Sequence, residues 1–143
     1  MPDTQGLSRS DFQSLARMRL REARVLLHEG HCSGAYYLAG YGVECALKAC
    51  IARRTERHSF PDRNRTRDSH THDLALLLTT AGLREPLEDA ARSNPALSKS
   101  WTVVRDWNTA SRYDATIGLD KARELYTALT GRNGVVPWLK RHW

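Results

Sequence analysis

The stretch Ala35-Tyr-Tyr-Leu-Ala-Gly-Tyr-Gly-Val-Glu-Cys-Ala-Leu-Lys-Ala-Cys-Ile51 decides the fold. Plotted at 100° per residue, it divides into two faces. Ala35, Ala39, Gly42, Ala46 and Ala49 recur at helical spacing and make one face of small residues. Tyr37, Tyr41, Glu44 and Lys48 make a polar seam on the other side, with Leu38, Val43, Cys45, Leu47 and Cys50 on the flanks. A helix apolar nearly all round is a buried, central one. Its small face admits a neighbouring backbone at close range, and its seam of hydroxyls and charge requires partners.

A chain of 143 residues has the size of one domain with a self-sufficient core. The formal charge is +6, carried by 18 Arg against 4 Lys. The guanidinium fork suits phosphate and carboxylate, which favours anionic partners, although a GC-rich genome produces the same bias. Cys32, Cys45 and Cys50 fall at no metal-binding spacing, and no metal or other cofactor is expected. An odd cysteine count without an N-terminal apolar run points to a reducing cytoplasm. The longest apolar stretch is interrupted by Glu44 and Lys48, so it is not read as a membrane span.

The remaining pattern is helical. Ser10-Asp-Phe-Gln13 has capping-box spacing and predicts a helix to about Glu29, stopped by Gly30. Ser33 is the expected cap of the central helix, and the short link makes the two helices antiparallel neighbours. A third helix is predicted from about His72 to Ala81, ending at Gly82. A fourth has Pro86 in its first turn and reaches Ser93. Asn94-Pro95 opens a fifth, to about Trp107, with Leu97, Trp101 and Val104 inward. Leu119, Ala122, Tyr126 and Leu129 trace a sixth, closed by Gly131. No window alternates with period two. The expectation is an all-α, up-and-down bundle of four to five main helices. A short terminal helix docks on it through Trp138 and Leu139.

Residues 53–71 read as a polar Arg/His-rich loop between helices two and three; with His72 the stretch holds six Arg and three His. A loop of this length is functional or disordered. With Lys140 and Arg141 it is the first candidate for a phosphate-contacting surface, diluted by Glu56, Asp62 and Asp68.

Taken in order, the central Glu-x3-Lys helix, His72-Asp-Leu, Trp107…Ser111-Arg-Tyr113, Ala122-Arg-Glu-Leu-Tyr126 and the closing Pro-Trp-Leu-Lys-Arg-His-Trp143 resemble a HEPN domain (higher eukaryotes and prokaryotes nucleotide-binding). The resemblance spans nearly the whole chain from about residue 12. It implies a helical bundle that homodimerises and is associated with RNA or nucleotides. It also implies a toxin or defence-system component, often with a small nucleotidyltransferase as partner. Active members carry Arg-x4–6-His, where His moves the ribose 2′-hydroxyl proton and Arg steadies phosphate charge. Here Arg112 takes the matching position, and no His follows it at that spacing. Arg53-x4-His58, Arg65-x4-His70 and Arg67-x4-His72 satisfy the spacing within an Arg/His-rich stretch where such matches arise by chance.

The candidate catalytic residues are therefore Arg112 and His72. The candidate binding residues are Glu44, Lys48, Asp73, Arg112 and Tyr113, with Arg53 and His58 from the loop. Glu44 and Lys48 have the acid-before-base order of a local helical pair. The sharper expectation is that Glu44 accepts from Arg112, because a carboxylate on so apolar a helix needs a partner. Asp73 is expected to cap helix three, or to orient His72 as a general base. His58, His70 and His72 lack supporting ligands for a metal. Tyr36, Tyr37 and Tyr41 read as interior or interface aromatics, and Arg19 as snorkelling or reaching an acid across a dimer. Three functions are compatible with these features. The leading one is an RNA- or nucleotide-binding module; the others are a metal-independent endoribonuclease and a dimeric helical scaffold.

Overall fold

The structure is a computed structural model that describes residues 6–57 and 68–143. Its long helices are α1 (Arg9–His28) and α2 (Cys32–Arg57). They are followed by α3 (Leu74–Thr80), α4 (Arg84–Ser93), α5 (Pro95–Arg105), a 3-10 turn (Thr109–Tyr113), α6 (Leu119–Thr130) and α7 (Val135–Leu139). No strand occurs among the described residues, and the chain is an all-α helical bundle. None of the described helices is long and apolar enough to cross a membrane.

The centre is α2, which packs against α1, α3, α6, α7 and the 3-10 turn. Every residue from Gly42 to Ile51 is buried, Glu44 and Lys48 included. The small face works as its spacing predicts. A Cβ on Gly42 would stand 2.9 Å from Leu20 Cγ and 3.4 Å from the Ala16 carbonyl oxygen, so α1 packs directly on α2 there. Gly40 admits the indole of Trp107, whose ring atoms would lie 2.0 to 2.2 Å from a Cβ at this position. Burying each large side chain on these surfaces contributes about 1.5–3 kcal/mol.

Local signals fix the helix ends. Gly30 (φ 82°) follows α1 and Gly82 (φ 73°) follows α3, both in the left-handed region that favours glycine. In each case the next amide reaches back to a carbonyl of the last turn, His31 to Leu26 at 2.8 Å and Leu83 to Leu78 at 3.1 Å. Asn94 caps α5 by accepting from the Leu97 amide, with Pro95 at the first helical position.

Several expectations are corrected. The α1 capping box is Ser8 with Asp11, two residues before the predicted one, because Asp11 reaches back to the Ser8 amide at 2.8 Å. Ser33 does not cap α2, which already begins at Cys32; the His31 carbonyl accepts the Ala35 amide. The first part of the predicted loop, residues 53–57, continues α2. Arg and Glu are good helix formers, and the Thr55 hydroxyl satisfies itself on the Ile51 carbonyl at 3.0 Å. The rest of that loop, 58–67, lies outside the described residues. Helix five stops at Arg105, and Trp107 enters the core from the segment after it. Leu119, on the apolar trace of the sixth helix, is 42% exposed.

The two ends of the bundle meet. Arg9 donates twice to the Trp143 carbonyl oxygen, at 2.9 and 2.6 Å, and Gln13 donates to it at 2.8 Å. Arg17 lies 4.8 Å over the buried Trp143 ring. This clamp joins the start of α1 to the terminal segment, which docks through Trp138 and Leu139 as expected.

Burial pushes the Cys45 and Cys50 thiols up to about 12, whereas Cys32 is half-buried. Titration of the folded protein with a chromogenic disulfide at pH 8 should therefore modify Cys32 alone. Cys45 and Cys50 should react only when denaturant is added.

Candidate functional site

Two constellations form around α2. The first is its polar seam. Glu44 is 1% exposed, and both carboxylate oxygens are engaged: Oε2 with Lys48 Nζ at 3.4 Å and Oε1 with His72 Nδ1 at 2.8 Å. The expected Glu44–Arg112 pair is not formed. His72 arrives from the turn before α3 and takes the place at Glu44 expected for Arg112. An ionised Glu44 only accepts, so Nδ1 is the donor of this bond. The His72 side chain is 52% exposed. Asp73 does not orient His72; it caps α3, accepting from the Leu76 amide at 3.1 Å.

Arg112 belongs to the other end of the seam. It is fully exposed, lies 4.8 Å over the Tyr113 ring, and its pKa is raised by hydrogen bonding to Tyr113 and then to Tyr37. Tyr113 is 78% exposed. Between the two ends, Tyr37 stacks at 5.9 Å on Tyr41 and at 6.1 Å on Trp107. Burial, and then Glu44, raise the pKa of Tyr41. Tyr37 and Glu44 are seven residues apart, about 10 Å along the helix axis. Arg112 and His72, the two candidate catalytic residues, are therefore not brought together within one chain. Arg19 pairs within its own helix, with Glu22 at 2.6 Å.

The second constellation lies where α2 ends against the terminal segment. Arg53, Arg54, Arg141 and His142 line one pocket of about 210 Å³, floored by Cys50, Ala81 and Leu83. Arg53 donates to the Arg141 carbonyl at 3.3 Å, which holds its stem along the bundle. The close approach of Arg54 to Gly82 holds its guanidinium at the same end: a Cβ on Gly82 would collide with it. Burial, then Arg53 and Arg141, lower the His142 pKa. Of these four residues, Arg53, Arg54 and Arg141 belong to the basic surface expected from the sequence, and only His142 does not. His142 escapes because a side chain 88 residues from Arg54 is brought beside it only by tertiary packing, which no local pattern encodes. His58 lies outside the described residues. Among the described residues, no three His, Cys, Asp or Glu side chains group to hold a metal ion.

His142 gives a pH dependence with a definite sign. Its folded pKa lies below its ordinary 6.5, so the neutral form is favoured by folding. That contribution is complete above pH 6.5 and is lost as pH falls from there through the folded value. Thermal melts at pH 7.5 and 5.5 should show a smaller acid-side loss in His142→Gln than in the parent protein.

No protein-family model, curated protein or solved structure matches this chain.

Proposed function

We propose that this chain is a HEPN-like module that binds RNA or a nucleotide through its phosphates. The supporting observation is the pocket where Arg53, Arg54 and Arg141 stand together with His142. Three guanidinium groups around one small space give fixed forks for phosphate oxygens. The exposed Arg112–Tyr113 pair supplies a cation and an aromatic face at the far end of the seam, suited to a second nucleotide. The family resemblance further supports a homodimer, a cytoplasmic toxin-like role in a toxin–antitoxin or defence pair, and a nucleotidyltransferase partner. A second reading, endoribonuclease, draws on one observation: Glu44 holds His72 through Nδ1 while about half of that side chain stays exposed, accessible to a substrate as a general base must be.

The test is binding of a labelled single-stranded RNA between about 50 and 200 mM salt. Affinity should fall steeply with salt. Arg53→Ala with Arg141→Ala should reduce the log–log slope by about 1.4, roughly 0.7 for each phosphate no longer neutralised. Absence of binding at low salt removes the proposal and leaves the scaffold. RNA cleavage that disappears in folded His72→Ala replaces binding with catalysis.

A further inference from the structure

A third surface lies away from both constellations, between the second half of α1 and the start of α6. On α1, Arg17, Arg21, Arg24 and His28 recur at i, i+4, i+7 and i+11, which places them on a single face. Opposite them, α6 presents Leu119 and Arg123. The groove between the helices has a volume of about 870 Å³. Arg21, Arg24, Arg123 and His28 form its rim, and Val25, Leu27 and Leu119 contribute apolar surface. Val25 is 61% exposed and Leu119 is 42% exposed. Glu29 lies in the lining, yet among the described residues none of Arg21, Arg24 and Arg123 forms an ion pair.

Single exposed apolar residues need no explanation. Here two of them, on different helices, share one groove, and unpaired guanidinium groups border both. An apolar floor with a basic rim matches an amphipathic helix that buries apolar residues at i, i+3, i+4 and i+7 between acidic flanks. A nucleic-acid strand fits less well, because no Phe, Tyr or Trp lines this groove and a strand would leave Val25 and Leu119 unused. A second copy of the chain brings a net charge of +6 against a basic rim. Its most acidic helix, α4, spends two of its acids internally, on Arg84–Glu88 and Arg92–Asp89 pairs.

We propose that the α1–α6 groove docks an acidic amphipathic helix from a partner protein. The helix seats its apolar stripe on Val25 and Leu119 and its carboxylates on Arg21, Arg24 and Arg123. This surface is independent of the phosphate-binding reading, so either can fail alone.

The test uses the full chain and a labelled acidic peptide of about 15 residues with Leu at i, i+3, i+4 and i+7 and Glu elsewhere. A scrambled peptide of the same composition and a labelled oligouridylate serve as comparisons. Fluorescence anisotropy should give the patterned peptide at least about tenfold tighter binding than the scrambled one. Val25→Glu and the Arg21→Glu/Arg24→Glu pair should each weaken it about tenfold, and Arg53→Ala should leave it unchanged. Equal affinity for the two peptides overturns the proposal, since charge alone would then suffice. Oligouridylate binding that depends on Arg21 and Arg24 overturns it in favour of nucleic acid. Self-association abolished by Val25→Glu overturns it in favour of a second copy.

Discussion

Glu44→Gln is expected to lower stability by about 3–5 kcal/mol, the usual cost of removing one partner from a buried ion pair. Lys48 keeps its ammonium at 8% side-chain exposure and loses the carboxylate that neutralises it. The substitution preserves shape, so the loss reports charge rather than a cavity. In a chain of this length, that corresponds to a fall of about 10–17 °C in Tm. Glu44→Leu combined with Lys48→Met should regain most of the loss, because a buried pair replaced by apolar groups of similar volume is often neutral or better. Arg112→Ala provides the contrast. Its side chain is fully exposed and makes no contact with Glu44, so Tm should not move. Equal destabilisation by Arg112→Ala and Glu44→Gln would mean that the two residues are coupled after all. Differential scanning fluorimetry on the set decides the matter.

Gly40→Ala should reverse the usual sign of its class. In an ordinary helix interior this exchange gains about 1 kcal/mol. Here the new methyl group falls within 2.0 to 2.2 Å of the Trp107 indole, and the atoms it meets belong to a rigid ring. Trp107 is 2% exposed and has no free direction in which to retreat. Overpacking of this kind costs about 1–3 kcal/mol before any loss of the indole's own burial, so a net fall of roughly 2 kcal/mol or more is expected. On a Trp107→Leu background the same change should be neutral or stabilising, since the smaller side chain vacates the space. That background also removes a buried indole N–H that has no hydrogen-bond partner among the described residues. Urea denaturation of the four-member cycle measures the coupling between the two positions. A purely additive cycle would show that Gly40 is not there for the ring.

The fold was legible because its signals are local. The small face of α2, glycine at the ends of α1 and α3, and Asn94-Pro95 each act within a few residues of where they are read. The site was legible only in part. Glu44 and Lys48 stood out as charges that an apolar helix must neutralise, but the identity of the third partner depends on which loop arrives there. That partner is His72, and Arg112 stacks on Tyr113 instead. Residues 53–57 misled because a run without apolar periodicity can still continue a helix on propensity alone. Leu119 misled in the opposite way, matching the apolar period while facing the α1–α6 groove. The three arginines of the Arg53–Arg54–Arg141–His142 pocket were visible as basic surface, whereas tertiary packing alone brings His142 beside them.

The clamp of Arg9 and Gln13 on the Trp143 carbonyl gives the bundle the mechanics of a fastened belt. The contact spans 134 residues of chain, so the first helix cannot fray without releasing the last segment. Amide hydrogens in α1 and around Trp138 should then exchange as one cooperative unit. Tension applied between the start of α1 and Trp143 would load those few hydrogen bonds before reaching the core, unfastening the buckle while α2 stays wrapped.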